Sequence, residues 1–290
     1  MAKVEAREST IIFRPNEQRH LMLARLLQLA SPALPVGAYS YSQGMEWAVE
    51  AGTIIDEATA LVWIGDQLEL NIGRYEAPML LRMMAAWRDS VSVGADETNA
   101  EAETTMQQGG RAKDALRAVA CGKKPLSQLD AEYLASRESA ELRAETLQMG
   151  YSMTRLLNEL GDFPQALLDE LHRDENQVSG SYLYVWTCAA AHWQIPDQDA
   201  LTAWLWSWAE NQTMAALKAV PLGQAGGQRL LQEIGRRLPA IVEQAMAMDE
   251  ADISNFAPGF AIACCRHETQ YTRIFRSCTL RQIRLFRRCG

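Results

Sequence analysis

The chain has 290 residues and a formal net charge of −8, and 48% of its residues are hydrophobic. These values are ordinary for a soluble globular protein. No secretory signal and no apolar run of about 20 residues is found, so we expect neither an exported nor a membrane-spanning chain. The charge is uneven, because residues 266–290 carry seven arginines and one acid, a net charge of +6, against −14 for the preceding 265 residues.

Helical periodicity dominates the chain, and strand-like alternation is nearly absent. A first helix is predicted over residues 17–30. An interruption with two prolines follows it, and Ser40 with Gln43 predicts a capping box for a second helix that Gly52 ends.

The next signals continue the helical pattern. Asp56 is predicted to cap a third helix, and Pro78 fits the first turn of a fourth. Residues 88–114 lose the apolar period, which predicts a flexible surface connection. Ser127 with Asp130 then predicts the start of the longest helical stretch.

That longest stretch runs over about residues 129–160. Further helices are predicted over residues 164–172, 178–194, 198–219, 226–237 and 239–248. We therefore predict an all-α fold, a single-domain helical bundle of roughly ten helices. Its predicted parts are an N-terminal extension (1–20), the all-α domain (21–265) and a basic C-terminal tail (266–290).

Two segments that contain glycine or serine have some features of catalytic or phosphate-binding motifs, but neither completes one. Ser42 has Gly44 after it but Ser40 before it, so a nucleophile elbow is missing, and capping hydroxyls are the simpler interpretation. The segment "AVPLGQAGGQRLL" could present amides to an anion, but Gly227 is followed by glutamine rather than the lysine of a P-loop. Glycines that separate two packed helices remain the alternative.

The cysteines and tryptophans leave further alternatives open. The segment "CCRHETQY" offers Cys264, Cys265 and His267 as weak candidates for metal ligands, although adjacent cysteines rarely reach one ion. With no export signal, all six cysteines are expected to stay reduced in the cytoplasm. Trp204, Trp206 and Trp208 alternate on a predicted helix, which indicates burial by the core or by a second subunit. Of these two hypotheses, the metal site is weaker than the burial of the three tryptophans.

Four ordered blocks resemble one family. They are "LLQLASPALPVGAYSYSQGMEWAVEAG", "LASRESAELR", "ENQTMAALKAVPLGQAGGQRLL" and "PGFAIACCRHETQYTRIFRS", and together they span residues 21–277. In this order they resemble the UreF family of urease accessory proteins. The chain continues past the last block with residues 278–290, which lengthens the basic tail.

The resemblance implies an all-α, dimer-forming protein without catalytic activity. It implies binding to a UreD/UreH-type accessory protein and to a UreG-type GTPase, in an assembly that loads nickel into apo-urease. No cofactor is expected to bind tightly to this chain, because nickel is handled by the complex. Binding to nucleic acid or to a membrane is not expected on this interpretation.

The resemblance also implies which residues bind partners. The interrupted segment contributes Pro35, Gly37, Tyr39, Ser40, Ser42, Gly44 and Glu46. The block around the glycines contributes Lys218, Pro221, Gly223 and Gln224. The tail contributes Arg266, His267, Glu268, Tyr271 and Arg273. We expect Tyr39, Ser40 and Ser42 to lie close to Lys218 and Gln224.

Two alternatives from other classes stay open at this point. A nucleic-acid-binding module could use the arginine-rich tail, although the acidic body would repel phosphate. A small metal-binding protein could use Cys264, Cys265 and His267, and it would hold metal without partners. Lys218 is either a solvated lysine or a charged contact to a partner.

Overall fold

The computed structural model describes residues 15–100, 124–171 and 180–275. Their backbone is helical without a β-strand, which confirms the all-α prediction. The α-helices are α1 (Pro15–Ala30), α2 (Met45–Glu50), α3 (Glu57–Gln67), α4 (Ala77–Ala100), α5 (Leu126–Ala135), α6 (Ala140–Leu160), α7 (Gln165–Leu171), α8 (Tyr182–His192), α9 (Asp197–Ala219), α10 (Gly223–Met246) and α11 (Pro258–His267). A π-helical segment, Leu68–Glu76, joins α3 to α4 without a break.

Helix α8 forms the centre of the bundle. Its residues from Leu183 to Ala191 are buried on every side, as expected of a helix that is apolar all round. It packs between α4 and α6, while α9 packs against α10 and α1. If α3, the π-helical segment and α4 (residues 57–100) are counted as one continuous helix, the described residues form ten helices, which agrees with the predicted number.

The interruption after α1 differs from the predicted capping box. Ser40 ends a short 3₁₀ turn, Ala38–Ser40, and α2 starts only at Met45, with Gly44 in the N-cap position. The Gln43 side chain points inward instead of capping the helix, because tertiary hydrogen bonds from its amide replace the local one. The prediction was therefore wrong at this helix start.

The third helix begins as predicted. The side chain of Asp56 accepts a hydrogen bond from the Thr59 main-chain N–H at 2.9 Å. The Thr59 hydroxyl oxygen in turn accepts the Asp56 main-chain N–H at 3.0 Å. Pro78 lies in the first turn of α4, also as predicted. No break separates it from α3, however, because the π-helical segment keeps the backbone hydrogen-bonded across this region.

The predicted surface connection was partly wrong. Residues 88–100 continue α4, and residues 101–123 lie outside the described part of the chain. Loss of the apolar period removes a packing face, but the helix needs only its internal hydrogen bonds to continue. The residues predicted as one long helix, 129–160, are two helices, since Ser139 caps the start of α6 through the Leu142 N–H at 3.0 Å.

The other helix boundaries show where packing overrides local signals. Asp130 does not cap α5, which already begins at Leu126, and accepts the Ser181 N–H at 3.2 Å instead. Pro239 lies inside α10 and does not end it, contrary to the two helices predicted there. A proline inside a helix costs about 3 kcal/mol, whereas each buried leucine or isoleucine contributes about 1.5–3 kcal/mol. Leu238 and Ile241 are both buried beside Pro239, so packing offsets the missing hydrogen bond.

Four further observations concern the terminal helices, membrane spans and burial. Helix α1 begins at Pro15, so residues 15–20 of the predicted extension belong to a helix. Helix α11 had no counterpart among the predicted helices. None of the described helices is long and apolar enough to span a membrane. The alternating tryptophans are packed by the chain itself, since Trp204 and Trp208 are buried and Trp206 lies against α10.

Candidate functional site

The interrupted segment between α1 and α2 forms one edge of the candidate site. Gly37 has φ of 80°, a left-handed conformation that favours glycine, and it precedes the 3₁₀ turn. Pro35 is exposed, and Tyr39 presents a side chain that is 54% exposed. The sequence therefore shapes a rigid turn that holds an aromatic ring at the surface.

Lys218, at the end of α9, lies close to two aromatic rings. Its Nζ donates to the carbonyl oxygen of Tyr39 at 3.4 Å and lies 5.7 Å from the centroid of the Tyr39 ring. The same Nζ lies 5.2 Å from the ring centroid of Phe275. Distances of this size suit cation–π attraction. The predicted proximity of Tyr39 and Lys218 is thus found, and Lys218 is an exposed but engaged lysine.

In the part of the chain that the structure describes, Ser42 and Gln224 make no hydrogen bond with this pair. Ser42 is 1% exposed, so it is a buried residue rather than a surface contact. Among the residues that the structure describes, its hydroxyl has no hydrogen-bond partner, and it lines a small cavity beside Gly44, Glu145 and His267. Gln224 is exposed in the first turn of α10, and Gly223 and the preceding Pro221 are exposed as well. Of the predicted group, Tyr39 and Lys218 are in direct contact, and Ser40 lies next to Tyr39 in the same 3₁₀ turn.

Glu46 on α2 joins the interrupted segment to the tail. Its carboxylate is 5% exposed, and it accepts hydrogen bonds from the main-chain N–H groups of Ile274 and Phe275, the latter at 3.1 Å. The Nε2 atom of His267 lies 3.3 Å from the same carboxylate. A buried carboxylate needs such partners, because leaving it unpaired would be costly.

His267, on α11, bridges Glu46 to a second carboxylate. Its Nδ1 atom lies 2.6 Å from Oε2 of Glu141 at the start of α6. Burial disfavours the charged ring, but the hydrogen bonds and charges of Glu141 and Glu46 outweigh burial and raise the pKa of His267 above its ordinary value of 6.5. The imidazolium therefore stabilises two carboxylates at once.

The first ten residues of the predicted tail fold onto the body of the protein. Arg273 donates to Oε1 of Glu141 at 3.3 Å and also to the main-chain carbonyl groups of Gln270 and Glu268. Glu268 in turn accepts the main-chain N–H of Glu141 at 3.0 Å, which caps the N-terminus of α6. Arg266 and Tyr271 stay exposed, and residues 276–290 lie outside the described part of the chain.

The weak metal-ligand candidates Cys264, Cys265 and His267 do not form a ligand cluster in the part of the chain that the structure describes. Among the described residues, no group of three or more histidine, cysteine, aspartate or glutamate side chains could hold a metal ion. Cys264 is buried, and burial raises the pKa of its thiol well above the ordinary value, whereas Cys265 is exposed. Adjacent residues on a helix point apart, so the two thiols do not converge.

The glycine-rich first turns of α10 have a packing role. A Cβ atom at Gly227 would lie 2.8 Å from a methyl group of Leu217, and Gly226 faces the carboxylate of Glu57. Glu57 is also paired with Arg229, at 2.5 Å. The glycines allow α9 and α10 to approach closely, which favours the structural alternative over an anion-binding loop.

A buried polar network beneath the interrupted segment was missed by the sequence analysis. Gln43 donates to Oε1 of Glu145 at 2.7 Å, and its own oxygen accepts the Trp208 indole N–H at 2.8 Å. Burial, opposed by the Gln43 hydrogen bond, raises the pKa of Glu145 to about 8. A cavity of about 70 Å³ adjoins these groups. The signal in the sequence was a glutamate among the apolar positions of α6, between Leu142 and Met149.

A buried ion pair lines the same cavity. Arg137 lies 2.6 Å from Oε1 of Glu76, and the second oxygen of Glu76 accepts the Trp204 indole N–H at 3.2 Å. The guanidinium also lies 4.4 Å from the centroid of the Tyr133 ring. Glu76 ends the π-helical segment, which turns its side chain into the core.

Comparisons with known proteins agree on one family. The family model described as UreF matches residues 54–235. The urease accessory protein UreF of Dechloromonas aromatica (strain RCB) is 54% identical over 258 residues, which cover 89% of this chain and 98% of that protein. The UreF proteins of Azoarcus sp. (strain BH72) and Methylobacillus flagellatus are 51% and 44% identical, over 89% and 88% of this chain and 96% and 97% of their own lengths.

Proposed function

Because the chain belongs to the UreF family of urease accessory proteins, we propose that it is a non-catalytic adaptor in the maturation of urease. In this role it bridges a UreD/UreH-type accessory protein and a UreG-type GTPase. The assembly inserts nickel into apo-urease and couples GTP hydrolysis to metal delivery. Nickel is the cargo of the complex, and the adaptor works as a homodimer in the cytoplasm.

The observation that carries this proposal is the exposed group of Tyr39 and Lys218 beside the docked tail. Both side chains reach the surface, and they come from two of the blocks that resemble the family. A lysine amine framed by aromatic rings can contact an acidic or polar partner at low cost in side-chain entropy. Exposed Tyr271 and Arg266 extend the available surface along the tail.

The buried residues of the predicted set support the adaptor in another way. Gly44, Glu46 and His267 are buried and hold α2, α11 and the tail together. We therefore assign the partner contact to the exposed residues and the shape of the surface to the buried ones. Arg273 is paired with Glu141, which leaves fewer free cations for a nucleic-acid interaction.

The proposal is tested by light-scattering mass measurements after co-expression with a UreD-type protein, followed by addition of a UreG-type GTPase. We expect a stable complex with the full-length chain that contains equal numbers of the two accessory proteins, and further mass when the GTPase is added. A chain that elutes alone at micromolar concentration of both partners would overturn the adaptor role. Co-expression with apo-urease and nickel then measures activation.

A further inference from the structure

The cavity beneath the interrupted segment contains polar groups that the proposed adaptor role does not use. It has a volume of about 70 Å³ and lies between α6, α9 and the residues that follow α1. This is room for a few water molecules or for one molecule of about four heavy atoms. Leu29, Leu34 and Val36 form an apolar part of its wall, while Glu145 and Asn211 belong to the polar part. We call this space the Glu145 cavity.

The buried ion pair in the wall of the Glu145 cavity is not required for packing. The side chains of Glu76 and Arg137 are 6% and 8% exposed, and apolar residues of similar volume at such positions often give equal or greater stability. Glu76 ends the π-helical segment, and π-helical turns inside helices occur frequently at functional sites. The pair is satisfied internally, since Glu76 also accepts the Trp204 indole N–H. These observations indicate a wall that is built for polar contacts.

Two other groups of the wall offer hydrogen-bonding capacity to an occupant. Oδ1 of Asn211 is buried and accepts no hydrogen bond from any residue that the structure describes. Burial raises the pKa of Glu145 to about 8, so its carboxyl group carries a proton at neutral pH. One oxygen of that group accepts the Gln43 amide, and its O–H can donate into the cavity. An occupant therefore meets one acceptor and one donor.

The charges around the Glu145 cavity disfavour an ion as its occupant. Glu76 and Arg137 carry opposite charges that cancel, and Glu145 is uncharged at neutral pH. An ion that left water for this site would find no free counter-charge among the described residues that line it. A neutral molecule with both an acceptor and a donor loses less, because Glu145 and Asn211 replace its hydrogen bonds to water. A carboxamide has both, in its carbonyl oxygen and its N–H group.

We propose that the Glu145 cavity is a binding site for a small neutral carboxamide, whose carbonyl oxygen accepts from Glu145 and whose N–H donates to Asn211. A short alkyl group on the carboxamide packs against Leu29, Leu34 and Val36, and this burial of apolar area favours it over water in the same space. The site goes beyond the adaptor role. It needs no partner protein, so a negative result would leave that role standing.

The test follows indole N–H signals by NMR during titration of the full-length chain. Trp204 and Trp208 line the cavity, and their indole signals are the probes. Trp87 is the internal control, since its indole donates to the Tyr184 carbonyl oxygen and its ring does not line the cavity. The titrants are acetamide, acetone and acetate, which have the same number of heavy atoms and differ in hydrogen-bond donors and charge.

Acetamide is expected to shift the Trp204 and Trp208 signals with half-saturation at about 1–10 mM, an affinity open to so small a ligand. Acetone lacks the N–H group and should bind about tenfold more weakly, since Asn211 then stays unpaired. Acetate should give no saturable shift. Probe signals that do not respond to about 100 mM acetamide would show that the cavity holds water only. Equal or tighter binding of acetate would exclude a neutral ligand, and either result overturns the proposal.

The role of Asn211 is tested with Asn211→Leu, which removes the acceptor and keeps a similar volume. Acetamide should then bind about tenfold more weakly while acetone is unaffected, because acetone does not use Oδ1. Asn158→Leu is the matched control, since Asn158 is exposed on α6 and does not line the cavity. Unchanged acetamide affinity in Asn211→Leu would overturn the assignment. If this variant loses its cooperative unfolding transition, the comparison of the titrants on the wild type decides alone.

Discussion

The Nδ1 atom of His267 lies 2.6 Å from Oε2 of Glu141, which ties α11 to the first turn of α6. Because the carboxylates raise the pKa of His267 above 6.5, the charged ring stabilises the folded state fully below that value. This contribution is lost as the pH rises through the folded pKa. We expect the free energy of unfolding to fall over this range.

Urea titrations of the wild type and of His267→Gln between about pH 6 and pH 9 measure this effect. The variant should lose the His267 part of the pH dependence, although Glu145 still titrates in it. His192→Gln is the control, since His192 contacts only the Asp162 carbonyl oxygen among the hydrogen bonds described. Parallel profiles for the wild type and His267→Gln would contradict the assignment.

Glu145 should contribute to the same loss of stability at high pH. Its pKa is raised from 4.5 to about 8, so the unfolded chain ionises it long before the folded one does. When the pH is above the folded-state pKa, the buried carboxyl group is ionised, and the folded state is then least favoured. We expect Glu145→Gln to stabilise the protein by about 1–3 kcal/mol at about pH 8 and much less at about pH 5.

The measurement is chemical unfolding of wild type and Glu145→Gln at both pH values. Glutamine keeps an oxygen that can accept the Gln43 amide hydrogen, so the network is retained. Glu159→Gln, on the exposed end of α6, is the control for loss of one carboxylate. Equal stability changes at the two pH values would show that Glu145 does not carry a raised pKa.

The effect on stability of removing Arg137 should depend strongly on whether the charge of Glu76 is still present. Arg137→Met leaves Glu76 buried and unpaired, which costs about 3–5 kcal/mol. The double variant Glu76→Gln with Arg137→Met should recover part of that loss, because no uncompensated charge remains. Thermal unfolding of the single and double variants measures the difference. The exposed pair of Arg236 with Glu233 is the control, and its removal should cost less than about 1 kcal/mol.

Gly44 should tolerate no side chain, for two separable reasons. Both Gly44 and Gly52 have positive φ, 80° and 73°, so alanine is strained at either position by about 1 kcal/mol. Only Gly44 would also place its Cβ atom 2.9 Å from the Cys264 nitrogen, while Gly52 has open space around it. Gly44→Ala should therefore lower stability by about 2 kcal/mol more than Gly52→Ala. Similar unfolding midpoints would show that α11 moves away freely.

Tyr39→Ala with Lys218→Ala should weaken partner binding while the chain stays folded. Both side chains are exposed, so their removal leaves the core intact and the circular dichroism spectrum unchanged. We expect a loss of affinity for the UreG-type or UreD-type partner of about tenfold or more, measured by titration calorimetry. A double variant that simply melts would show these residues to be structural, and unaltered affinity for both partners would remove them from the interface.

Much of the helical architecture could be predicted from the sequence, because an apolar stripe at helical spacing requires only local information. The Asp56 cap and the helix over residues 198–219 are examples, and both agree with the structure. The errors came where a distant group replaced a local one. Gln43 makes tertiary hydrogen bonds instead of capping, and Pro239 is kept inside α10 by packing on both of its sides.

The candidate site was predictable in its members and not in their roles. The sequence motifs selected Tyr39, Lys218, Glu46 and His267, but they could not show that the first two are exposed and the last two buried. Burial depends on which elements pack together, and residues 46 and 267 are separated by more than 200 positions in the chain. Glu145 was missed because its raised pKa arises from that same packing.

The sequence by itself determined the all-α class, the order of most helices and membership in the UreF family, since periodicity and ordered motifs are carried by the chain directly. Only the tertiary structure decided that the start of the basic tail folds back onto the body. The Arg273 side chain of the tail donates to Glu141, and main-chain N–H groups of the tail donate to Glu46. A buried carboxylate requires hydrogen-bond donors. Tertiary packing decides which donors lie close enough to bind it, and this cannot be read from the local sequence.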